Sequence, residues 1–292
     1  MKKFLCTILI AFGAHLAHAQ APVPLLWKVS DADNSLYLLG SFHMLKATDY
    51  PVAASVDAAF NDASHVVFEL SPQEVNDPAL GSKLAALGVL AGGKTLQQSV
   101  SAKTWRKLQA FSAKNKVDLA NFQNLKPWFV GLMLAVMGMQ NNGFDPALGL
   151  DLQLMQRAVK EGKATQGLET GDMQLALFNN LPPKEQDQFL EEALDSGGRL
   201  KTEMQALHTA WRNADEKKLY QDVGLKMRRD YPELYESINR GRNKAWLPKL
   251  EALLKANQKD NVLVVVGALH LLGDDGVVKM LAAKGYKVER IK

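Results

Sequence analysis

The sequence predicts an α/β protein, with an α+β arrangement as the alternative, in which both ends of the chain supply strands to one central sheet. Two observations lead to this prediction. A short apolar run that closes with Gly-x-x-His occurs near each end, at Gly40 to His43 and again at Gly267 to His270. Between these units the pattern over about residues 78–254 is mostly helical, which indicates a large helical insertion.

The first unit begins with the run Ser-Leu-Tyr-Leu-Leu-Gly, which ends three residues before His43. Its length and composition are typical of a buried parallel strand, and glycine permits the tight turn that follows. A helix over Val52–Asn61 and an alternating strand over His65–Leu70 are expected next. Glu69 would lie at the carboxyl end of that strand, at the same edge as His43. His65 would lie roughly 13 Å back along the strand, so we interpret it as structural.

The second unit repeats this order near the end of the chain. The run Asn-Val-Leu-Val-Val-Val-Gly precedes His270, and a helix over Gly276–Lys284 and a strand over Tyr286–Ile291 should follow. Because ligands bind beyond the carboxyl ends of strands in open α/β sheets, both histidines fall where a site would form. A single histidine in such a place is more often a loop or core residue, but two copies favour a site. Glu289 resembles Glu69 in position but not in spacing, so we expect it to face solvent.

The remaining segments predict one compact domain over residues 20–292. A strand over Leu26–Val29 should lie at the edge of the sheet, and a short strand is possible over Lys163–Glu169. The helix over Pro127–Gln140 is apolar nearly all round and too short to span a bilayer. Ser196-Gly-Gly198 should end a helix that begins at Pro182-Pro183. Further helices are expected at Ser101–Lys114, Gly149–Lys160, Lys201–Leu219 and Tyr231–Leu254.

The start of the chain resembles a secretory signal peptide. Met1-Lys-Lys is followed by an apolar run over Phe4–Ala17 and by the small-x-small sequence Ala17-His-Ala19. This pattern predicts cleavage after Ala19, hence a signal peptide over residues 1–19 and a periplasmic or secreted bacterial protein. The apolar run is shorter than a membrane span, so stable membrane insertion is not expected after cleavage. The only cysteine, Cys6, would leave with the signal, so the mature protein would have neither a disulfide nor a catalytic thiol.

Composition excludes several classes of function. The chain is 47% hydrophobic and 23% charged, which is ordinary for a globular protein. Its formal net charge of +4 falls by two when Lys2 and Lys3 are removed, and this balance does not indicate nucleic-acid binding. The sequence contains no Gly-x-Ser-x-Gly, P-loop, dinucleotide-binding glycine set or His-Glu-x-x-His, so the commonest enzyme motifs are absent.

Two histidines and at least one carboxylate at one sheet edge are what a divalent metal requires. Imidazole together with carboxylate suits manganese, cobalt or zinc, and a bound metal of this kind supports hydrolysis. The candidate ligands are His43 and His270, with Glu69, Glu169 or Asp151 as the carboxylate. Glu169 follows a possible strand and could lie at the same edge, whereas Asp151 more often would be a helix cap than a ligand.

Seven short motifs, in order, resemble the TraB/PrgY/GumN family, whose superfamily includes the animal Tiki proteins. The resemblance runs from about Leu26 to Arg290, almost the whole mature chain. The motifs are Gly40-Ser-Phe-His43, Val67-Phe-Glu69, Pro127-Trp128, Gly149-Leu-Asp151, Leu168-Glu-Thr170 with Gln174, Arg242-Asn243 with Trp246, and Val266-Gly-Ala-Leu-His-Leu-Leu-Gly273.

The resemblance implies a function for the sheet edge. Tiki proteins are described as metal-dependent proteases that use both Gly-x-x-His histidines and partner glutamates, which matches His43, Glu69 and His270. It implies that Glu169 is a ligand or general base, and that Arg242 holds a substrate carboxylate unless it forms an ion pair within the helical middle. The expected function is an exported metal-dependent hydrolase, a peptidase, with peptide or protein substrates. The alternatives are a non-catalytic peptide-binding protein and two purely structural corners.

Overall fold

The computed structural model describes residues 21–256 and 260–292, without the side chains of residues 196–200. The predicted signal peptide lies outside the described residues. In the described part, a mixed sheet is formed by β1 (Leu26–Ser30), β2 (Ser35–Ser41), β3 (Ala63–Phe68), β4 (Ala164–Gly167), β5 (Asn261–Gly267) and β6 (Lys287–Ile291). The strands are arranged in the order β4-β3-β5-β2-β1-β6.

The predicted α/β class, with a central sheet fed from both ends of the chain, is confirmed. Strand β5 pairs in parallel with β2 on one side and with β3 on the other, and β3 pairs in parallel with β4. Nearly every position of β2 and β5 is buried, as expected of strands covered on both faces. Both Gly-x-x-His turns therefore leave the sheet at the same edge.

The second unit is not a full copy of the first. After His270 the chain returns through a helix to β6, which pairs antiparallel with β1, and β1 pairs antiparallel with β2. The expectation that the strand at Leu26 forms the edge is wrong, because β6 covers its outer side. A local pattern can predict a strand, but it cannot tell which later segment pairs beside it.

Helices surround the sheet. Those in the segment that separates β3 from β5 in sequence also form a second hydrophobic cluster of their own. Short 3₁₀ turns lie at Ala47–Asp49, Leu119–Phe122, Pro146–Leu148 and Ala268–Leu271, and π-helical turns at Tyr220–Leu225 and Glu236–Arg240. The α-helices are α1 (Ala54–Asp62), α2 (Pro72–Val75), α3 (Pro78–Leu87), α4 (Leu96–Ser99), α5 (Ala102–Asn115), α6 (Pro127–Gln140), α7 (Leu150–Lys160), α8 (Gly171–Asn179), α9 (Pro183–Arg212), α10 (Glu216–Leu219), α11 (Lys226–Asp230), α12 (Pro232–Tyr235), α13 (Gly241–Lys255) and α14 (Val277–Ala283). In the described part of the chain, none of these helices has the length and apolar character needed to cross a bilayer.

Helix α9 corrects two predicted boundaries. It continues through Ser196-Gly-Gly198 to Arg212, although these residues were expected to end it. Each glycine inside a helix costs only about 1 kcal/mol relative to alanine, and the packing of α9 against α5 and α6 offsets that cost. The predicted helix over Lys201–Leu219 is instead broken near Ala214, whose φ of 50° is left-handed.

The same helix supports the loop that carries His43. The indole Nε1 of Trp211 donates to the carbonyl of Gly40 at 3.1 Å. The ring Nε2 of His208 lies 2.8 Å from the fully buried carboxylate of Asp49, which Arg212 also contacts. These contacts hold both sides of the turn after β2 against α9, so the turn is a fixed part of the scaffold.

Candidate functional site

Three adjacent strands place the predicted ligands at one edge of the sheet. Strands β3, β5 and β2 lie next to each other and run in parallel, so their carboxyl ends meet. Glu69 directly follows β3, His43 follows β2 by two residues, and His270 follows β5 by three residues. The Nε2 atoms of His43 and His270 lie 4.0 Å and 3.8 Å from Oε1 of Glu69, so the three side chains face one another.

Glu69 is at the centre of the site. Its Oε1 accepts the backbone N–H of Gly267 at 2.8 Å, and its Oε2 accepts from Arg242 at 2.5 Å and from Gln174 at 3.3 Å. Burial would raise the pKa of this carboxyl, but attraction to His270 when that ring is protonated, attraction to the Arg242 guanidinium and the backbone hydrogen bond from Gly267 lower it to about 2. Glu69 is therefore ionised at any physiological pH.

Each histidine has its Nδ1 held by an oxygen atom. Nδ1 of His43 lies 2.9 Å from Oδ2 of Asp151, and Nδ1 of His270 lies 2.7 Å from Oδ1 of Asn243. The amide of Asn243 is oriented by its own Nδ2, which donates to the carbonyl of Asp275 at 2.8 Å. Because both Nδ1 atoms donate to oxygen, both Nε2 atoms are turned towards Glu69, as in metal sites where an outer oxygen orients the histidine.

The two rings lie in different electrostatic surroundings. Although 57% of the His43 side chain is exposed, desolvation by the groups around its ring disfavours the charged form, and Asp151 and then Glu69 raise its pKa to about 9. His270 is buried against Trp246, with ring centroids 4.4 Å apart. Burial, with the positive charge of Arg242, lowers the pKa of His270 to about 3 although Glu69 opposes this. His270 is therefore a neutral ring.

Gly267 leaves the space between these groups open. A Cβ at this position would lie 3.0 Å from Nε2 of His43, 3.4 Å from Oε1 of Glu69 and 3.6 Å from Cδ2 of His270. Its φ of −53° and ψ of 135° are available to any residue, so backbone conformation does not require glycine here. What glycine supplies is free volume bordered by Nε2 of His43, Oε1 of Glu69 and the ring of His270.

Arg242 and Glu169 form the inner wall of the site. Glu169 has 3% of its side chain exposed and accepts from Arg242, from Gln174 at 2.8 Å and from Trp246 at 3.3 Å. The guanidinium of Arg242 lies 4.7 Å above the Trp246 ring and places Nη1 3.0 Å from Nε2 of His270. The π-helical turn over Glu236–Arg240 ends two residues before Arg242, and such turns often occur at functional sites.

Asp151 is not the helix cap that we expected. Gly149 is the N-cap of α7, and Asp151 is the second residue of the helix with its carboxylate on His43. His65 lies at the other end of β3, where Ser64 is its hydrogen-bond partner. Glu289 lies on β6 and pairs with Lys287 at 3.0 Å, away from the sheet edge where the histidines meet.

Sequence reasoning did not assign the two oxygen atoms that hold Nδ1. Asp151 was expected to cap a helix, and Asn243 was named only as part of a short motif. One signal could have indicated a role for Asn243. It follows Arg242 directly in the same motif, and adjacent residues of a helix point in different directions, so each should contact a different partner. Asp151 had no such signal, because its partner lies 108 residues away in sequence.

The types of donor atom suit a divalent metal, but the side chains are slightly too far apart to bind one ion together. Within the described residues, no group of three or more histidine, cysteine, aspartate or glutamate side chains is arranged to hold an ion as it stands. Ligands about 2.0–2.2 Å from a tetrahedral ion lie roughly 3.4 Å apart, and the separations from Glu69 are 3.8 and 4.0 Å. Small side-chain rotations would close this difference. The residues therefore fit a metal provided that Arg242 moves away from His270.

Comparison with known proteins agrees with the resemblance of the motifs. The chain is 24% identical over 246 residues to the uncharacterized protein YbaP of Escherichia coli K12, which covers 84% of this chain and 87% of the relative. The YbaP protein of Shigella flexneri matches with the same identity and coverage. No solved structure matches the chain. The model of the TraB/PrgY/GumN family matches residues 25–290, and the chain therefore belongs to the TraB/PrgY/GumN family.

Proposed function

We propose that this protein is an exported, metal-dependent hydrolase that acts on peptides or proteins. The observation that supports this proposal is the convergence of three side chains on the free volume at Gly267. Nε2 of His43, Oε1 of Glu69 and the ring of His270 border this volume, Nε2 of His270 lies 3.8 Å from Oε1 of Glu69, and each ring is oriented from behind by an oxygen atom. Oriented imidazoles beside an ionised carboxylate are the usual ligands of catalytic divalent ions.

In this proposal His43, Glu69 and His270 bind manganese, cobalt or zinc. A bound ion of this kind lowers the pKa of water and polarises a substrate carbonyl. Glu69 contributes a full negative charge because its pKa is held at about 2. His270 needs no deprotonation before it binds the ion, since its pKa is about 3, whereas His43 must release a proton at neutral pH.

Arg242 and Glu169 would act on the substrate side of the same site. The guanidinium can form two parallel hydrogen bonds with a substrate carboxylate or with negative charge that develops on a peptide carbonyl. Glu169 holds this guanidinium through both of its carboxylate oxygens. To act as a general base, Glu169 would have to release Arg242. Experiment can separate this role from that of a metal ligand.

Export is a separate part of the proposal. The basic start, apolar run and Ala-His-Ala sequence at residues 1–19 support cleavage by a signal peptidase. The mature protein would then lie in the periplasm or outside a bacterial cell, where peptides and proteins are available substrates.

A non-catalytic peptide-binding protein is the second candidate, and Arg242 is the observation that favours it. Its guanidinium contacts both Glu69 and Glu169 and occupies the lone pair of His270 at 3.0 Å. The place of a metal ion is thus taken by an internal cation. Such a site could bind the carboxylate of a peptide without turnover.

Metal content distinguishes the two candidates. The parent protein, reconstituted with manganese, cobalt or zinc and dialysed, should hold close to one ion per chain by mass spectrometry. His43→Ala and His270→Ala should each lose it, because an incomplete ligand set binds weakly. His65→Ala is the matched control and should keep the ion, since it lies at the far end of β3. A parent protein that holds no ion, or histidine variants that hold as much as the parent, would reject the metal-dependent function.

Glu169→Gln then separates ligand from base. Loss of the ion would make Glu169 a ligand, whereas a retained ion with lost cleavage of a peptide library would make it a general base. A retained ion without any cleavage by the parent protein would favour the binding protein.

A further inference from the structure

We propose that Asp151 is the positioning residue of His43, which fixes the orientation of the ring and keeps a proton on Nδ1. This inference rests on the proposed function in one respect, since the orientation of Nε2 matters only when that atom meets an ion or a substrate. The contact between the two side chains can nevertheless be measured without either.

The direction of the hydrogen bond follows from the charge of its partner. Oδ2 of Asp151 lies 2.9 Å from Nδ1 of His43, and an ionised carboxylate only accepts hydrogen bonds. Nδ1 must therefore carry the proton. In the neutral ring this leaves the lone pair on Nε2, the atom that borders Oε1 of Glu69 and the free volume at Gly267.

The backbone holds the two side chains together independently of their own contact. The N–H of Leu150, at the start of α7, donates to the carbonyl of Phe42 at 3.1 Å. Leu45 and Asp145 exchange two backbone hydrogen bonds, of 3.3 and 2.8 Å. The start of α7 is thus attached to the loop of His43 on both sides of the histidine.

Gly149 makes this close approach possible. A Cβ at Gly149 would collide with the carbonyl of His43 and lie 3.1 Å from Oδ1 of Asp151. The position is therefore adapted both to the histidine loop and to the carboxylate. A helix that only needed an acidic residue in its first turn would not require this space.

Comparison with α8 supports the same conclusion. Asp172 is also the second residue of its helix, where negative charge is favoured by the helix dipole. It is 70% exposed and pairs with Lys83 on the surface. Asp151 is 28% exposed, has no nearby lysine or arginine partner among its described hydrogen bonds, and keeps Oδ1 buried without a hydrogen-bond partner. Burying an unsatisfied carboxylate oxygen is unfavourable, so its position indicates a role beyond helix stability.

The counterpart of Asp151 is neutral. His270 has its Nδ1 on the amide oxygen of Asn243, so the two Gly-x-x-His histidines are oriented in the same way by groups of different charge. A carboxylate behind the ring makes His43 the more basic ligand. The two histidines are therefore not interchangeable, although the sequence gives them the same local pattern.

The test uses the mature protein with Asp151→Leu, which replaces the carboxylate with an apolar group of the same branching, and Asp151→Asn, which keeps an acceptor without the charge. Asp172→Leu is the matched control for the loss of an acidic residue in a first helical turn. Asp151→Leu should bind the ion about 10- to 100-fold more weakly than the parent protein, Asp151→Asn should lose less, and Asp172→Leu should be unchanged. Calorimetric titration with manganese, cobalt or zinc measures this affinity.

Nuclear magnetic resonance of metal-free protein with ¹⁵N-labelled histidine gives the second readout. The Nδ1–H of His43 is present in the neutral ring and in the cation alike, so its signal should be protected from exchange in the parent protein and lost in Asp151→Leu. Persistence of that signal in Asp151→Leu, or its absence from the parent protein, overturns the proposal. If Asp151→Leu fails to fold, the parent spectrum and Asp151→Asn decide.

The two proposals fail in different ways. A parent protein that binds no ion but shows the Asp151-dependent Nδ1–H signal rejects the metal-dependent function and keeps the positioning role. If Asp151→Leu binds the ion as tightly as the parent protein does, the positioning role is rejected and the metal-dependent function is kept.

Discussion

The substitution Gly267→Ala tests whether the free volume between the histidines is the binding site. A methyl group here would lie 3.0 Å from Nε2 of His43 and 3.4 Å from Oε1 of Glu69. A metal ion must approach the same atoms to about 2.0–2.2 Å, whereas carbon atoms keep about 3.5–4.0 Å from their neighbours. The methyl group and the ion therefore cannot share this space.

The expected effect is large on binding and small on folding. We expect metal affinity to fall at least about 100-fold, which corresponds to about 2.7 kcal/mol at 1.4 kcal/mol per tenfold. The φ and ψ of Gly267 are available to alanine, and alanine loses less conformational entropy on folding, which stabilises by about 0.4–1 kcal/mol. The tight contacts offset that gain, so the free energy of unfolding should change by no more than about 1 kcal/mol.

Gly81→Ala is the matched control, because a Cβ at Gly81 meets nothing within 4 Å. Calorimetric titration with metal and thermal unfolding without it would be measured for both variants. Gly81→Ala should bind the ion like the parent protein. If a folded Gly267→Ala protein keeps full metal affinity, the ion binds elsewhere and the geometry argued for the site is wrong.

Three further outcomes follow from the described contacts. Arg242→Met removes the cation between two buried glutamates, so the free energy of unfolding without metal, measured by thermal unfolding, should fall by about 3–5 kcal/mol. An added divalent ion should stabilise this variant more than it stabilises the parent protein, because the ion would take the place of the guanidinium. Equal stabilisation of both proteins would contradict this. Burial and a hydrogen bond to Glu233 raise the pKa of Glu185 from 4.5 to about 7, so the parent protein loses stability as pH rises through this range. Glu185→Gln should therefore be more stable than the parent at pH 8, by about 1 kcal/mol or less for such a partly exposed pair, and equal to it near pH 4. Denaturant titration at both pH values measures this difference, and a difference that does not change with pH would contradict the prediction. Amino-terminal sequencing of exported protein should find Gln20 first, and a start at Met1 would reject cleavage.

Much of the sheet and the centre of the site could be predicted from the sequence. The runs before His43 and His270 are short, apolar and closed by glycine, and these are properties of a buried strand that leaves the sheet in a tight turn. The positions along β3 placed Glu69 at the same edge and His65, four residues earlier, at the other. These predictions depend only on local periodicity and on the rule that parallel strands share an edge.

The boundaries of helices were predicted less well. Ser196-Gly-Gly198 has a poor intrinsic preference for helix, yet α9 passes through it, since α9 packs against α5 and α6. The strand at Leu26 is internal because β6, from the end of the chain, pairs beside it. In both cases a contact distant in sequence outweighed a local preference.

The sequence by itself determined which residues leave the sheet at its carboxyl edge: His43, Glu69 and His270 follow from strands that their own residues specify. Only the tertiary structure decided what surrounds them. Arg242 reaches Glu69 from 173 residues away, and Asp151 reaches His43 from 108 residues away. No periodicity links residues at such separations, because their meeting depends on how α7 and α13 pack against the sheet. A strand is specified by neighbours along the chain, whereas the partner of a charged side chain is specified by neighbours in space.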